Sequence, residues 1–144
     1  MAESRGMNEC VFCRVVAGTV RRWLVDEDEW TVAFLDRSQV TDGHTLVVPK
    51  RHASDIWDIT PEEMSRVAVA VHRVAGVLRE RLDPAGLTLF QANRLADWQD
   101  VFHLHVHVVP RYPGDRLVLP WRVPRAEPEA LVGVLARIRP DRTS

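Results

Sequence analysis

The chain has 144 residues, 46% of them hydrophobic, enough to bury one core and too few for two ordinary domains. Charged residues make up 27% with both signs mixed and a formal net charge of -1, so nothing favours a long polyanion such as nucleic acid; a bound anion should be small and locally held. The polar start Met1 to Glu9 has no apolar run, and no later stretch approaches the ~20 apolar residues of a membrane span, which points away from a membrane and to a cytoplasmic protein.

Residues 1–9 are expected to be disordered and residues 10–144 to form a single domain. Asn8 can cap a short helix running through Val16, with Val11, Phe12, Val15 and Val16 as its apolar face and Gly18 as its stop. Cys10 and Cys13 sit at its start, and in a reducing compartment such a pair is more often metal-binding or redox-active than a structural disulfide. Strand-like runs follow at Trp23 to Asp26 and Trp30 to Asp36, around an acidic turn, and at Thr45 to Pro49 after a loop containing Asp42-Gly43; their order predicts a meander. Thr60, Pro61 and Glu63 form a capping box with proline at the first helical position, and Met64, Val67, Ala68, Val71, Val74, Ala75, Leu78 and Leu82 keep helical spacing after it. Asp83 to Gly86 ends that helix. A strand at Leu87 to Gln91, a loop at Asn93 to Val101, a histidine-bearing strand ending at Val109 and a helix from Pro128 to Ile138 complete the chain. Strands grouped on either side of one long helix, rather than alternating with helices, predict an α+β fold with a largely antiparallel sheet.

The segment Phe102-His103-Leu104-His105-Val106-His107-Val108-Val109-Pro110 carries the chemistry. On a strand, His103, His105 and His107 would share one face at a spacing of ~6.6 Å, with Leu104, Val106 and Val108 on the other. Packing gives no reason for three imidazoles in a row, because each buried polar ring needs a hydrogen-bond partner or a ligand. Two chemistries suit the row: a catalytic zinc site with an open position, or a nucleophilic imidazole attacking phosphorus beside hydrogen-bond donors.

His103 to Arg111 resembles the signature of the histidine triad (HIT) family, and Gly43-His44-Thr45-Leu46-Val47-Val48-Pro49-Lys50 resembles that family's other familiar segment. Phe34-Leu35-Asp36 fits the strand before the loop, so the resemblance covers roughly residues 10 to 111. It implies a HIT-like fold: about five mainly antiparallel strands, one long helix, a short N-terminal helix and a C-terminal helix. It also implies that His105 attacks the α-phosphorus of an adenosine-type nucleotide and becomes a transient nucleotidyl-histidine that water hydrolyses. His107 and Gln99 would hydrogen-bond the phosphate or leaving group, and His44 would support the nucleophile from behind. Asp36 would hold the ribose hydroxyls, Val11, Phe12, Val15, Phe34 and Leu35 would line the slot for a purine base, and Asn93 would belong to the same nucleotide site. Cys10 and Cys13, with His52 and His103, match the structural zinc ligands of HIT proteins that begin Cys-x-x-Cys, which would divide the triad between structure and catalysis. A phosphoramidase or a dinucleoside polyphosphate hydrolase is the expected activity.

Some positions depart from the family pattern. Ala92-Asn93-Arg94 stands where many relatives carry Asn-Asn-Gly, Trp98 replaces a glycine, and Asp100 replaces a Ser or Thr. A carboxylate there would repel phosphate by about a kcal/mol or more unless it points away or a cation such as Arg94 compensates. These departures keep a nucleotide-binding or signalling module with weak catalysis as the alternative; a histidine-rich metalloenzyme is a third reading, disfavoured by Asp36 and the apolar slot. The resemblance further implies a two-fold homodimer, with Leu87 to Gln91 as an edge strand that pairing would cover. In the apolar run Leu117 to Trp121, Trp121 either reaches the partner's nucleotide site or covers its own core.

Overall fold

The computed structural model describes residues 10–118 and 123–139. The expected disorder of residues 1–9 and the role given to Trp121 lie outside the described residues, and the cap expected from Asn8 falls instead to Cys10. Helix α1, Val11–Ala17, takes its cap from Cys10, whose sulfur accepts from the Cys13 N–H. It ends at Gly18 in a left-handed conformation (φ 73°), which glycine adopts without the Cβ penalty.

Strands β1 (Leu24–Glu27), β2 (Thr31–Leu35) and β3 (Thr45–Pro49) form the meander, each antiparallel to the next. Helix α2 runs Pro61–Leu82 with the reciprocal Thr60–Glu63 capping box in place, a device worth about 1 kcal/mol. Strand β4 (Gly86–Phe90) follows, then a 3-10 turn at Leu95–Asp97, strand β5 (Val106–Arg111) and helix α3 (Pro128–Ile138). The sheet order is β1-β2-β3-β5-β4, and every pairing is antiparallel. The histidine strand starts later than its alternation predicts: His103 falls in a bend and His105 immediately before the first ladder residue, Val106. The Leu104 N–H donates instead to the Ala53 carbonyl, outside the sheet.

Alternation splits the core into two layers. Ala33, Val47, Leu104, Val106 and Val108 face α2 and pack with its Val67, Ala70, Val71, Val74 and Leu78. Val32, Phe34, Leu46 and Val48 face the other way, onto Phe12 and Val15 of α1. All three triad histidines point to the α1 side, where Phe12 lies edge-on to His103 and His105. Helix α1 covers only part of that sheet face, and the uncovered remainder becomes a cleft.

The loop between β2 and β3 is held by its own end. Gly43 has φ 95°, and a Cβ placed there would meet Leu82 Cδ1 at 2.5 Å and Pro110 Cγ at 3.1 Å. Nearby, the Thr41 hydroxyl donates to the Pro110 carbonyl at 2.6 Å and the Tyr112 hydroxyl to the Asp42 carbonyl at 2.7 Å.

Candidate functional site

Two clusters of polar donors grow from the two ends of the histidine segment. At the first, the Cys13 sulfur lies 3.2 Å from His52 Nδ1 and 3.5 Å from His103 Nδ1, and the Cys10 sulfur lies 3.6 Å from His103 Nδ1. Zinc–sulfur and zinc–nitrogen bonds of about 2.3 and 2.0–2.1 Å at tetrahedral angles put S and N roughly 3.5 Å apart, so this spacing fits the metal. His103 Nε2–H donates to the Pro49 carbonyl at 2.8 Å, which leaves Nδ1 bare toward the sulfurs, the usual arrangement of a ligating histidine. Burial lowers the His103 pKa to about 4, with the charges of His52 and His105 adding to it and the Pro49 carbonyl opposing, so the ring is neutral, as a ligand must be. Burial first, then the neighbouring Cys10, pushes the Cys13 thiol up to about 12; without a cation the thiol keeps its proton.

The second cluster faces the cleft. The cleft is lined by Val11, Phe12, Val15, Phe34, Leu35 and Asp36, all implied by the resemblance, together with His105 and His107. His105 is 3% exposed, and its Nδ1–H donates to the backbone carbonyl of His103 at 2.8 Å. That bond fixes the tautomer, so the lone pair of Nε2 is the one turned to the cleft. His44 Nδ1–H donates to the Ser38 carbonyl at 3.0 Å, and His44 Nε2 lies 2.8 Å from His107 Nδ1. Asp36 Oδ1 accepts from the Ser38 N–H at 2.8 Å, while Oδ2 approaches His44 Nε2 at 3.5 Å and His107 Nδ1 at 3.9 Å. Burial lowers the His107 pKa to about 4, the charges of His105 and His44 push the same way, and Asp36 and Asp100 pull against them.

Two expected residues stand elsewhere. Gln99 is 2% exposed, but its amide donates to the carbonyls of Ser54 (2.5 Å) and Val101 (3.0 Å) and accepts the Arg94 N–H (2.5 Å), so it fastens its loop rather than facing the cleft. Asn93 is bound to Gln91 and to the Ile56 N–H, and it does not line the cleft either. The loop that carries them holds two of the departures in backbone that favours glycine: Arg94 at φ 69°, ψ 165° and Trp98 at φ 64°, ψ 19°. Asp100 does not point away. Its Oδ1 lies 3.7 Å from His105 Nε2 on a side chain 83% exposed, and Arg94 does not compensate it, being paired with Asp55 and stacked on Trp57.

The cleft also takes in Arg21, Trp23, Arg37, Leu46 and Val101, which are outside the set that the resemblance implies. Leu46 carried a signal, since it shares strand parity with Val48 and faces α1. Arg21 and Trp23 carried none: they reach the cleft through the turn after α1, with Trp23 at φ 45° and the Arg21 guanidinium 4.0 Å above its ring.

Residues 19–114 match the sequence profile of the HIT domain. The chain is 41% identical over 114 residues to the protein hit of Bacillus subtilis, an alignment covering 78% of this chain and 79% of that one. Its structure superposes on a HIT family protein from Bacillus subtilis with a TM-score of 0.86 at 37% identity, covering 94% of this chain and 99% of that one. A zinc-bound histidine triad family protein from Mycobacterium smegmatis is similar with a TM-score of 0.74 at 37% identity, covering 93% and 98% of the two chains.

Proposed function

The chain belongs to the histidine triad (HIT) family, and from that premise we propose that it is a nucleotidyl hydrolase or transferase acting at the α-phosphate of an adenosine-type nucleotide. One observation supports this most: His105 Nδ1 is tied to a backbone carbonyl, so Nε2 presents a lone pair to a mainly apolar cleft that also carries Asp36 and His107. In this reading the base lies against Val11, Phe12, Val15, Phe34 and Leu35, and Asp36 accepts hydrogen bonds from the ribose hydroxyls. The Nε2 lone pair attacks the α-phosphorus. The bond from phosphorus to the leaving nitrogen or oxygen breaks, and its electron pair departs with the leaving group, which takes up a proton. Water then attacks the phosphorus, gives up a proton, and the P–Nε2 bond breaks to return His105 and release a nucleoside monophosphate. His107, whose Nδ1–H is spent on His44 Nε2, would serve the phosphate oxygens by taking up a proton at Nε2, where the phosphate charge favours the protonated ring, and donating it to them.

Zinc, held by Cys10, Cys13, His52 and His103, would supply a closed structural cross-link between α1 and the histidine segment. Two copies would pair as a homodimer through β4, whose residues are all exposed, and through an exposed face of α2, where Val69 is 62% exposed. Light scattering at about twice the 16.4 kDa chain mass supports that pairing, and a monomer refutes it. No helix among the described residues is long and apolar enough to cross a membrane, and the two unpaired cysteines suit the reducing cytoplasm.

The test is a rapid acid-free quench of the enzyme with a phosphorus-labelled adenosine phosphoramidate, followed by peptide mapping. Label on the peptide bearing His105, absent in His105→Asn, is the expected result. A second reading, a nucleotide-binding module with weak catalysis, rests on the Asp100 carboxylate beside Nε2. Tight binding of adenosine monophosphate with no adduct from phosphoramidates or dinucleoside polyphosphates would decide for it.

A further inference from the structure

We propose that Asp36, His44 and His107 form a second divalent-cation site, separate from the thiolate cluster, which takes zinc or a similar first-row ion through two imidazole nitrogens and one carboxylate oxygen. The three potential ligand atoms, Asp36 Oδ2, His44 Nε2 and His107 Nδ1, lie within 4.8 Å of one another. Their separations are 2.8, 3.5 and 3.9 Å. Ligands about 2.0–2.1 Å from a tetrahedral zinc stand roughly 3.3 Å apart, so a shift of about half an ångström at each side chain makes room for the ion.

The orientation of the group is already that of ligands. His44 donates its remote ring N–H to the Ser38 carbonyl, and the second oxygen of Asp36 is held by the Ser38 N–H. A single backbone residue therefore fixes two of the three donors from behind, the outer-shell support that metal-binding histidines and carboxylates ordinarily have. Without a cation, His44 Nε2 and His107 Nδ1 can sit 2.8 Å apart only with a proton between them. A cation replaces that proton: the hydrogen on His107 Nδ1 moves through solvent to Nε2 of the same ring, which stays neutral, and both facing lone pairs then point at the metal. Two histidines and one carboxylate with an open fourth position is a donor set that first-row divalent ions occupy, and the open side here is the cleft.

The donor set also distinguishes this site from the one built on Cys10 and Cys13, because it holds no sulfur. An ion bound there withdraws Asp36 and His107 from whatever else enters the cleft, so the cation acts as a brake on the pocket rather than as part of its scaffold. The test is titration of the full chain with Co²⁺, read by absorption. Cobalt at the thiolate cluster gives sulfur-to-metal charge transfer in the near ultraviolet, whereas the proposed site gives visible d–d bands alone. The expected result is a sulfur-free cobalt site that persists in Cys10→Ser/Cys13→Ser and disappears in Asp36→Asn and in His44→Ala. Asp36→Asn preserves shape, and a thermal unfolding curve checks that it remains folded. Absence of a sulfur-free site in the full chain, or its survival in folded Asp36→Asn, overturns the proposal. Neither outcome depends on turnover, so both are separable from failure of the nucleotidyl-transfer reading.

Discussion

The His103 end and the His107 end of one short segment gather donors of different kinds. Around His103 the partners are two sulfurs and a second imidazole, His103 itself is fully buried, and its remaining ring nitrogen is spent on the Pro49 carbonyl. Around His107 the partners are nitrogen and carboxylate oxygen, the side chain is 20% exposed, and one ring nitrogen is left over. His105, between them, is buried like the first and faces the cleft like the second. The same residue type at alternate positions thus receives its task from what the opposing elements bring: α1 and the segment after β3 supply sulfur and closure, and the β2–β3 loop supplies oxygen and an opening.

The largest effect should come from the residue between the two ends. His105→Asn is expected to lower kcat by about four orders of magnitude or more while adenosine monophosphate still binds with a similar Kd by calorimetry, because the nucleophile is lost and the cleft is kept. Near-normal turnover would break the division of roles. At the closed end, Cys10→Ser or His52→Ala should abolish the bound zinc by metal analysis and lower Tm on the order of 10 °C, since a structural metal site contributes several kcal/mol to folding. Metal-free protein of unchanged Tm would erase the contrast.

At the open end, His107→Ala should cost about tenfold to thousandfold in kcat with little change in Tm, as loss of one phosphate donor does elsewhere. Gln99→Ala should do the reverse and lower stability by about 3 kcal/mol in denaturant titration, because buried backbone groups of Ser54, Val101 and Arg94 lose their partner. A rate defect without a stability defect in Gln99→Ala would return that residue to the phosphate. Asp100→Ser should raise kcat/KM for phosphate-bearing substrates about fivefold, the worth of removing roughly 1 kcal/mol of repulsion at an exposed position. The smallest effect should be a gain: Trp98→Gly relieves left-handed backbone and should raise stability by up to about 1 kcal/mol.

Strands and helices were legible wherever a pattern had one cause. Thr60-Pro61-x-Glu63 states a helix start through local hydrogen bonds alone, and α2 begins there. The alternation of Leu104, Val106 and Val108 with three histidines places the imidazoles together on the α1 side, although it overstates how far the ladder extends. Val11, Phe12, Val15, Phe34, Leu35 and Asp36 are grouped by resemblance and meet at one cleft, because α1 and β2 are regular elements whose faces follow from spacing. Gln99, Asn93, Arg94 and Trp98 lie in a loop where hydrogen bonds to distant backbone, such as Gln99 to Ser54, decide direction. No periodicity encodes such contacts. Ser38 leaves no mark in the sequence for a related reason: it acts through its main chain, which any residue possesses.

Gly43 gives α2 an unforeseen office as a ruler. Because the glycine lies flush against Leu82, the last residue of that helix, with no space for a side chain, the reach of the β2–β3 loop is gauged by where the helix stops. Asp36, Ser38 and His44 ride on that loop. Lengthening α2 by one residue would advance its tip by about 1.5 Å and turn it by roughly 100°. The loop would then lose its abutment, and the distances that set His44 against His107 would drift together, although nothing in the cleft had been altered.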